Sequence, residues 1–304
     1  MAANEGSLIP FVGVGASQIA GCPGWNDFAN KALNYFVKEK LINYDHYEQL
    51  LPLSPRLKLH IAIQLEDQHK KIIPYIDLLE LDKENHGNGQ KLYGIISKLS
   101  ETIITTNYDK WLDTTPISLS LLNDKTKINA GEKTRRRLYK PEDFDSVNFN
   151  REPTVVHLHG SVVDPNTMIL TTRDYLLHYA YKNDNKVISF LKGLFERYTV
   201  LFIGYGLEEL EILDFILQKG MDSSHSKEPK HFILQGYFSH QKELVNYFTS
   251  YYALLGVRLL PFSRDHENWD QLINVLDVFS KSLNSKSPLS LVNREIMEGL
   301  ADEL

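Results

Sequence analysis

Three side chains of this 304-residue chain are best suited to chemistry: the imidazole of His159, the amide of Asn107 and the carboxylate of Asp109. Asn107 and Asp109 close the run Thr102-Ile-Ile-Thr-Thr-Asn-Tyr-Asp109, and His159 lies in Thr154-Val-Val-His-Leu-His-Gly-Ser161. An imidazole at a strand end before a flexible glycine is placed to act as a general base. An amide and a carboxylate beside it can orient a carboxamide-bearing ring and stabilise positive charge forming on a ribose carbon. The competing reading of Asn107 and Asp109 is an Asx turn that merely closes a strand. A third element is Phe11-Val-Gly-Val-Gly-Ala-Ser17, where Gly13 and Gly15 allow a sharp turn and close backbone approach to a pyrophosphate. The amides of Ala16 and Ser17 and the Ser17 hydroxyl would then serve as donors. A second glycine turn, Gly204-Tyr-Gly206, opens a segment rich in glutamates. Glu208, Glu209 and Glu211 there either complement a helix dipole or accept from ribose hydroxyls.

Each motif ends a short apolar run that reads as a buried strand. Open α/β sheets bind ligands outside the carboxyl ends of their strands, so the set converges on one crevice suited to a dinucleotide. Gln18 stands where a hydride-transfer fingerprint needs its third glycine, and the region that should supply a ribose-binding acid reads as helix. A standard dehydrogenase therefore fits poorly. His157 would share a strand face with His159, but no third ligand lies at motif spacing. No metal is expected, and mid-strand His157 reads as a core histidine.

Strands are expected at 8–12, 102–106, 154–158, 200–203, 231–235 and 257–260, with a short addition at 168–171. Helical periodicity marks Trp25, Phe28, Ala29, Ala32, Leu33, Phe36 and Val37, then a helix capped by Ser54-Pro55, then one bearing Leu92, Ile95, Ile96 and Leu99. Further helices are expected at 186–198, 207–218, 240–254 and 267–283. The alternation indicates a Rossmann-like, doubly wound parallel α/β sheet, with a helical insertion at about 40–99 after the first strand. Residues 1–284 form the catalytic domain in this reading. Residues 285–304 are expected to form a tail helix with Leu289, Val292, Ile296, Leu300 and Leu304 on one face, suited to oligomer or partner docking or equally to packing back on its own domain. The polar stretch 123–150, with Thr134-Arg-Arg-Arg137, reads as a long loop, either lid or solvated surface.

A net charge of -6 argues against a general nucleic-acid binder. No apolar run approaches the 18 or so residues of a membrane span, and no signal-peptide pattern opens the chain. Cys22 is the single cysteine. A cytoplasmic protein is expected.

Taken together, the motifs resemble a sirtuin-type (silent information regulator) domain over about residues 8–280, closer to its bacterial anti-phage defence branch than to its deacetylases. The family's Gly-Ala-Gly-x-Ser turn is similar to Gly13-Val-Gly-Ala-Ser17, its Thr-x-Asn-x-Asp element to Thr105-Thr-Asn-Tyr-Asp109, and its His-Gly to His159-Gly160. Gly206 replaces a serine of the later turn, and Glu209 stands where an aspartate is usual. The resemblance implies NAD as substrate, with catalytic Asn107, Asp109 and His159. The cofactor-binding set would be Gly13, Gly15, Ala16, Ser17, Trp25, Thr106, Gly204, Gly206 and Glu209. The deacetylases' four-cysteine zinc ribbon is missing, so water is the expected acceptor and nicotinamide and ADP-ribose the expected products. It also implies a regulated homo-oligomer working with a partner such as a HerA-type ATPase or a short Argonaute. The alternatives are a deacylase or ADP-ribosyltransferase, a nucleotide sensor, or a nuclease subunit, the last supported only by the arginines at 135–137.

Overall fold

A computed structural model of the chain describes residues 7–79, 86–115, 135–146, 153–180, 185–206, 212, 216 and 229–284. Its strands are β1 (Leu8–Val12), β2 (Thr102–Thr105), β3 (Arg136–Leu138), β4 (Thr154–His157), β5 (Thr199–Ile203), β6 (His231–Tyr237) and β7 (Val257–Ser263). Its helices are α1 (Val14–Ile19), α2 (Trp25–Lys38), α3 (Tyr44–Leu50), α4 (Pro55–His69), α5 (Tyr75–Leu78), α6 (His86–Ile96), α7 (Trp111–Thr114), α8 (Thr172–His178), α9 (Lys186–Arg197), α10 (Lys242–Leu254) and α11 (Gln271–Asn284). The described strands form one seven-stranded sheet in the order β3-β4-β2-β1-β5-β6-β7, and every pairing is parallel. This is the expected Rossmann-like α/β architecture.

Burial on both faces explains why the central strands are continuous apolar runs. Ile9 and Phe11 of β1 face a core with α8, α9 and α10, whereas Leu8 and Val12 face one with α1, α6, α7 and α11. A third core joins α2, through Phe28, Leu33 and Phe36, to Leu59 and Ala62 of α4 and to Tyr108, Met168 and Leu170 from the loops after the strands. A helical layer thus lies over the carboxyl ends of β2 and β4. It includes α2, while α6, inside the expected 40–99 insertion, packs with the sheet.

Two strand expectations need correction. Residues 168–171 form no strand, because Asp174 takes the amides of Leu170 and Thr171 in a capping box that starts α8. Conversely, 135–146, expected as loop, contains edge strand β3, too short and too polar for periodicity to reveal. The 207–218 helix is described only at buried Ile212 and Ile216, so Glu209 lies outside the described residues, as does the tail at 285–304. Among the described residues no helix is long and apolar enough to cross a membrane.

The arginine cluster divides. Arg136 and Arg137 are exposed on β3, but Arg135 is buried. Its guanidinium donates to the carbonyls of Ser97, Ser100 and Glu101 and to the Ser97 hydroxyl, at 2.9–3.0 Å. It satisfies the chain leaving α6, which removes it from any nucleic-acid surface. Arg135→Ala should destabilise the fold by about 2–3 kcal/mol, the scale of hydrogen bonds to a charged donor. Urea denaturation would measure this, and an unchanged midpoint would contradict the role.

Candidate functional site

The chain turns from β1 to β2 on one side of β1 and places β5 on the other, so the sheet's switch point lies between β1 and β5. There the two glycine turns interlock. Gly13 N–H donates to the Ile203 carbonyl at 2.9 Å, and Gly15 N–H to the Gly204 carbonyl at 2.8 Å. A Cβ on Gly13 would come within 2.7 Å of the Gly204 carbonyl and of Tyr205. Gly13 and Gly15 therefore make room for the neighbouring turn. Gly204 has φ +61°, and a Cβ on it would collide with the Ala16 amide nitrogen. Gly204→Ala combines left-handed strain, about 1–2 kcal/mol for a residue with a Cβ, with a backbone clash. A loss above 2 kcal/mol is expected in thermal or urea unfolding, and a neutral result would show that the turns separate cheaply.

Two of the expected donors of the first turn, the Ala16 amide and the Ser17 hydroxyl, are occupied. Because α1 begins at Val14, the Ala16 amide closes on the Gly13 carbonyl at 3.1 Å. The Ser17 hydroxyl donates to Asp109 Oδ2 at 2.5 Å and lies 3.1 Å from the Tyr93 hydroxyl. Asp109 Oδ1 accepts from the Trp111 amide at 3.0 Å. Burial pushes the Asp109 carboxyl above its ordinary value, against the pull of those two hydrogen bonds. Asn107 donates through Nδ2 to the Gly13 carbonyl at 2.8 Å, and its amide donates to Thr105 Oγ1 at 3.0 Å. The extended chain ends at Thr105, yet both side chains of the pair still reach the first turn.

His157 and His159 have different surroundings. His157 is a buried core histidine between the Asn107 carbonyl and Asp113. His159 lies beyond the end of β4, with its ring buried among Tyr175, His178 and Tyr179. Its Nε2 is 2.7 Å from the Tyr179 hydroxyl, and its Nδ1 is 3.4 Å from that of Tyr175. Burial, then the nearby His178 and Arg56, hold it well below the ordinary histidine value. It is neutral at physiological pH, the form a base requires.

A cavity of about 410 Å³ opens at this point. Ser17, Trp25, Thr106, Asn107, Asp109, His159 and Gly206 line it, while Gly13, Gly15, Ala16 and Gly204 join the turns. Sequence reasoning missed Arg56, Tyr108, Tyr175 and Tyr205 in its wall. The Arg56 guanidinium stacks 3.7 Å above the Tyr175 ring, bringing the helical layer against α8. Ser54-Pro55 marks that helix start in the sequence, but only tertiary packing brings it to the sheet. Amides, a carboxylate, a neutral imidazole and aromatic walls suit a nicotinamide and its ribose. Among the described residues no group of three or more His, Cys, Asp or Glu is placed to hold a metal ion.

A family model described as the SIR2-like domain matches residues 101–254, just over half of the chain. The matched span carries Asn107, Asp109, His159, Gly204 and Gly206, and the first glycine turn precedes it. No curated protein matches the chain.

Proposed function

Since the chain belongs to the SIR2-like family and so has an NAD-dependent function, we propose that it hydrolyses NAD to nicotinamide and ADP-ribose. The observation that carries this reading is the meeting of Asn107, Asp109 and neutral His159 in one cavity at the sheet's switch point. Breaking the nicotinamide–ribose bond sends its electron pair to the ring nitrogen and builds positive charge on the ribose carbon, as in glycoside hydrolysis. Asp109, anchored by Ser17 and Trp111, offsets that charge or holds the carboxamide. Asn107 orients the water or the ribose hydroxyls. The water oxygen bonds to the ribose carbon, and His159 accepts the proton and passes it to solvent.

The same proposal makes the chain a regulated effector of anti-phage defence, because uncontrolled NAD loss would kill its host. Homo-oligomerisation and a partner such as a HerA-type ATPase or short Argonaute belong to it, with the 285–304 tail as the docking element. Incubating purified protein with NAD, alone and with lysate from infected cells, should release nicotinamide measurable by chromatography. A deacylase or ADP-ribosyltransferase would release it only with an acceptor peptide or protein, and that result would replace hydrolysis.

A further inference from the structure

His157 reaches both ends of the segment that carries Asp109. Its Nδ1 lies 3.0 Å from the carbonyl oxygen of Asn107, and its Nε2 lies 2.8 Å from Asp113 Oδ1 in α7. All of this is enclosed, with the His157 and Asp113 side chains 1% and 2% exposed. A main-chain carbonyl can only accept, so Nδ1 must carry a hydrogen. A contact of 2.8 Å between Nε2 and a carboxylate oxygen needs a second proton between them. Free imidazole holds a proton more tightly than free aspartate by roughly two and a half pH units, which puts that proton on the ring.

We propose that His157 is a buried imidazolium, paired with Asp113, that fixes the 107–113 segment and is thereby a positioning residue for Asn107 and Asp109. The effect of His157 on catalysis rests on the hydrolase reading above; its charge state does not. Burial opposes the charge, but the Asp113 hydrogen bond and charge, the Asn107 carbonyl and the charge of Asp109 outweigh it, leaving His157 above its ordinary value. Among the described residues, the charges that act on the ring are those of Asp113 and Asp109. With His157 in place, Asn107 is held through its amide by Thr105, through its carbonyl by His157 and through Nδ2 by Gly13. Asp109, inside the same closed segment, is held by Ser17 and Trp111. The two histidines of one short motif therefore carry opposite charge states. His157 is the cationic strut and His159 the neutral base.

Two measurements on the full chain test this. In ¹⁵N-histidine NMR at neutral pH, one histidine should have both ring nitrogens protonated, and its signals should vanish in His157→Gln. If no histidine is doubly protonated, the charge assignment is wrong. The second variant, Asp113→Asn, keeps the side-chain shape and removes the counter-charge. It should lose the doubly protonated signal and lower kcat roughly 10²-fold, the scale of about 1 Å of misplacement at a reacting centre, with KM unchanged. A lowered melting midpoint with unchanged kcat would make the pair structural only and overturn the positioning role. Should the wild-type chain release no nicotinamide, the hydrolase reading fails, and the NMR measurement still decides the charge of His157.

Discussion

Replacing His159 with alanine should reduce nicotinamide release by about 10²- to 10⁴-fold, the range that a positioned general base supplies, while NAD still shifts the melting curve. The ring lines the cavity, is neutral at physiological pH, and leaves the sheet ladder intact when removed, since β4 ends at His157. Asn107→Ala should lose comparable activity but also loosen the first turn, because its Nδ2 holds the Gly13 carbonyl. The acid limb of the wild-type pH–rate profile should fall below the ordinary histidine value, since His159 stays unprotonated to lower pH. Chromatography of nicotinamide at stepped pH gives both readings. Retained turnover in His159→Ala would remove the residue from the mechanism.

The second large effect is acid instability. Burial lowers His178 to about 4 and His231 to about 4, with Lys230 adding to the effect at His231. Both are neutral in the folded chain at values where an unfolded histidine, with a pKa of about 6.5, is protonated. In that window the unfolded state binds the extra protons, so stability falls as pH falls. Each group is worth on the order of 3 kcal/mol across the window, and buried His159 acts in the same direction. His157 has the opposite sign: its contribution is complete below the unfolded value and is lost as pH rises through its raised folded value. Raised carboxyls at Asp109, Glu66 and Glu101 also favour the folded state in acid, but only nearer the carboxylate range. Against a total stability of about 5–15 kcal/mol, the loss from neutral pH to pH 4 should be a large fraction. Urea midpoints that stay flat between pH 6.5 and 4.5 would show that these imidazoles titrate normally.

The sheet was legible because its central strands are short β-branched runs bounded by glycine or polar turns, and their order follows from alternation with amphipathic helices. For β1, β2, β4 and β5 the same signal gave ends within one residue of those observed, whereas β6 and β7 run two and three residues past their expected ends. Edge strand β3 was hidden because Arg136 and Arg137 face outward and three residues show no period. The site was legible where chemistry clusters at strand ends, as at Asn107, Asp109 and His159. It was illegible where distant elements meet: nothing local in Ser54-Pro55-Arg56 shows that Arg56 stacks on Tyr175. Nor could the sequence show that Gly13 and Gly15 are glycine to admit Gly204, since that demand comes from a turn far along the chain.

That distance sets a timetable for synthesis. Leu8 pairs with Thr199 and Val12 with Ile203, so the central strand meets one of its two neighbours only after the intervening residues 13–198 have been made. At about 5–20 residues per second, a ribosome takes roughly 10–40 s to supply that partner. Until then β1 presents an unpaired edge that nascent-chain chaperones would have to shield. The first glycine turn also lacks the carbonyls of Ile203 and Gly204 that receive its amides. A nascent chain that has not reached Gly204 therefore has no assembled crevice, so the proposed hydrolysis could not begin before β5 is made.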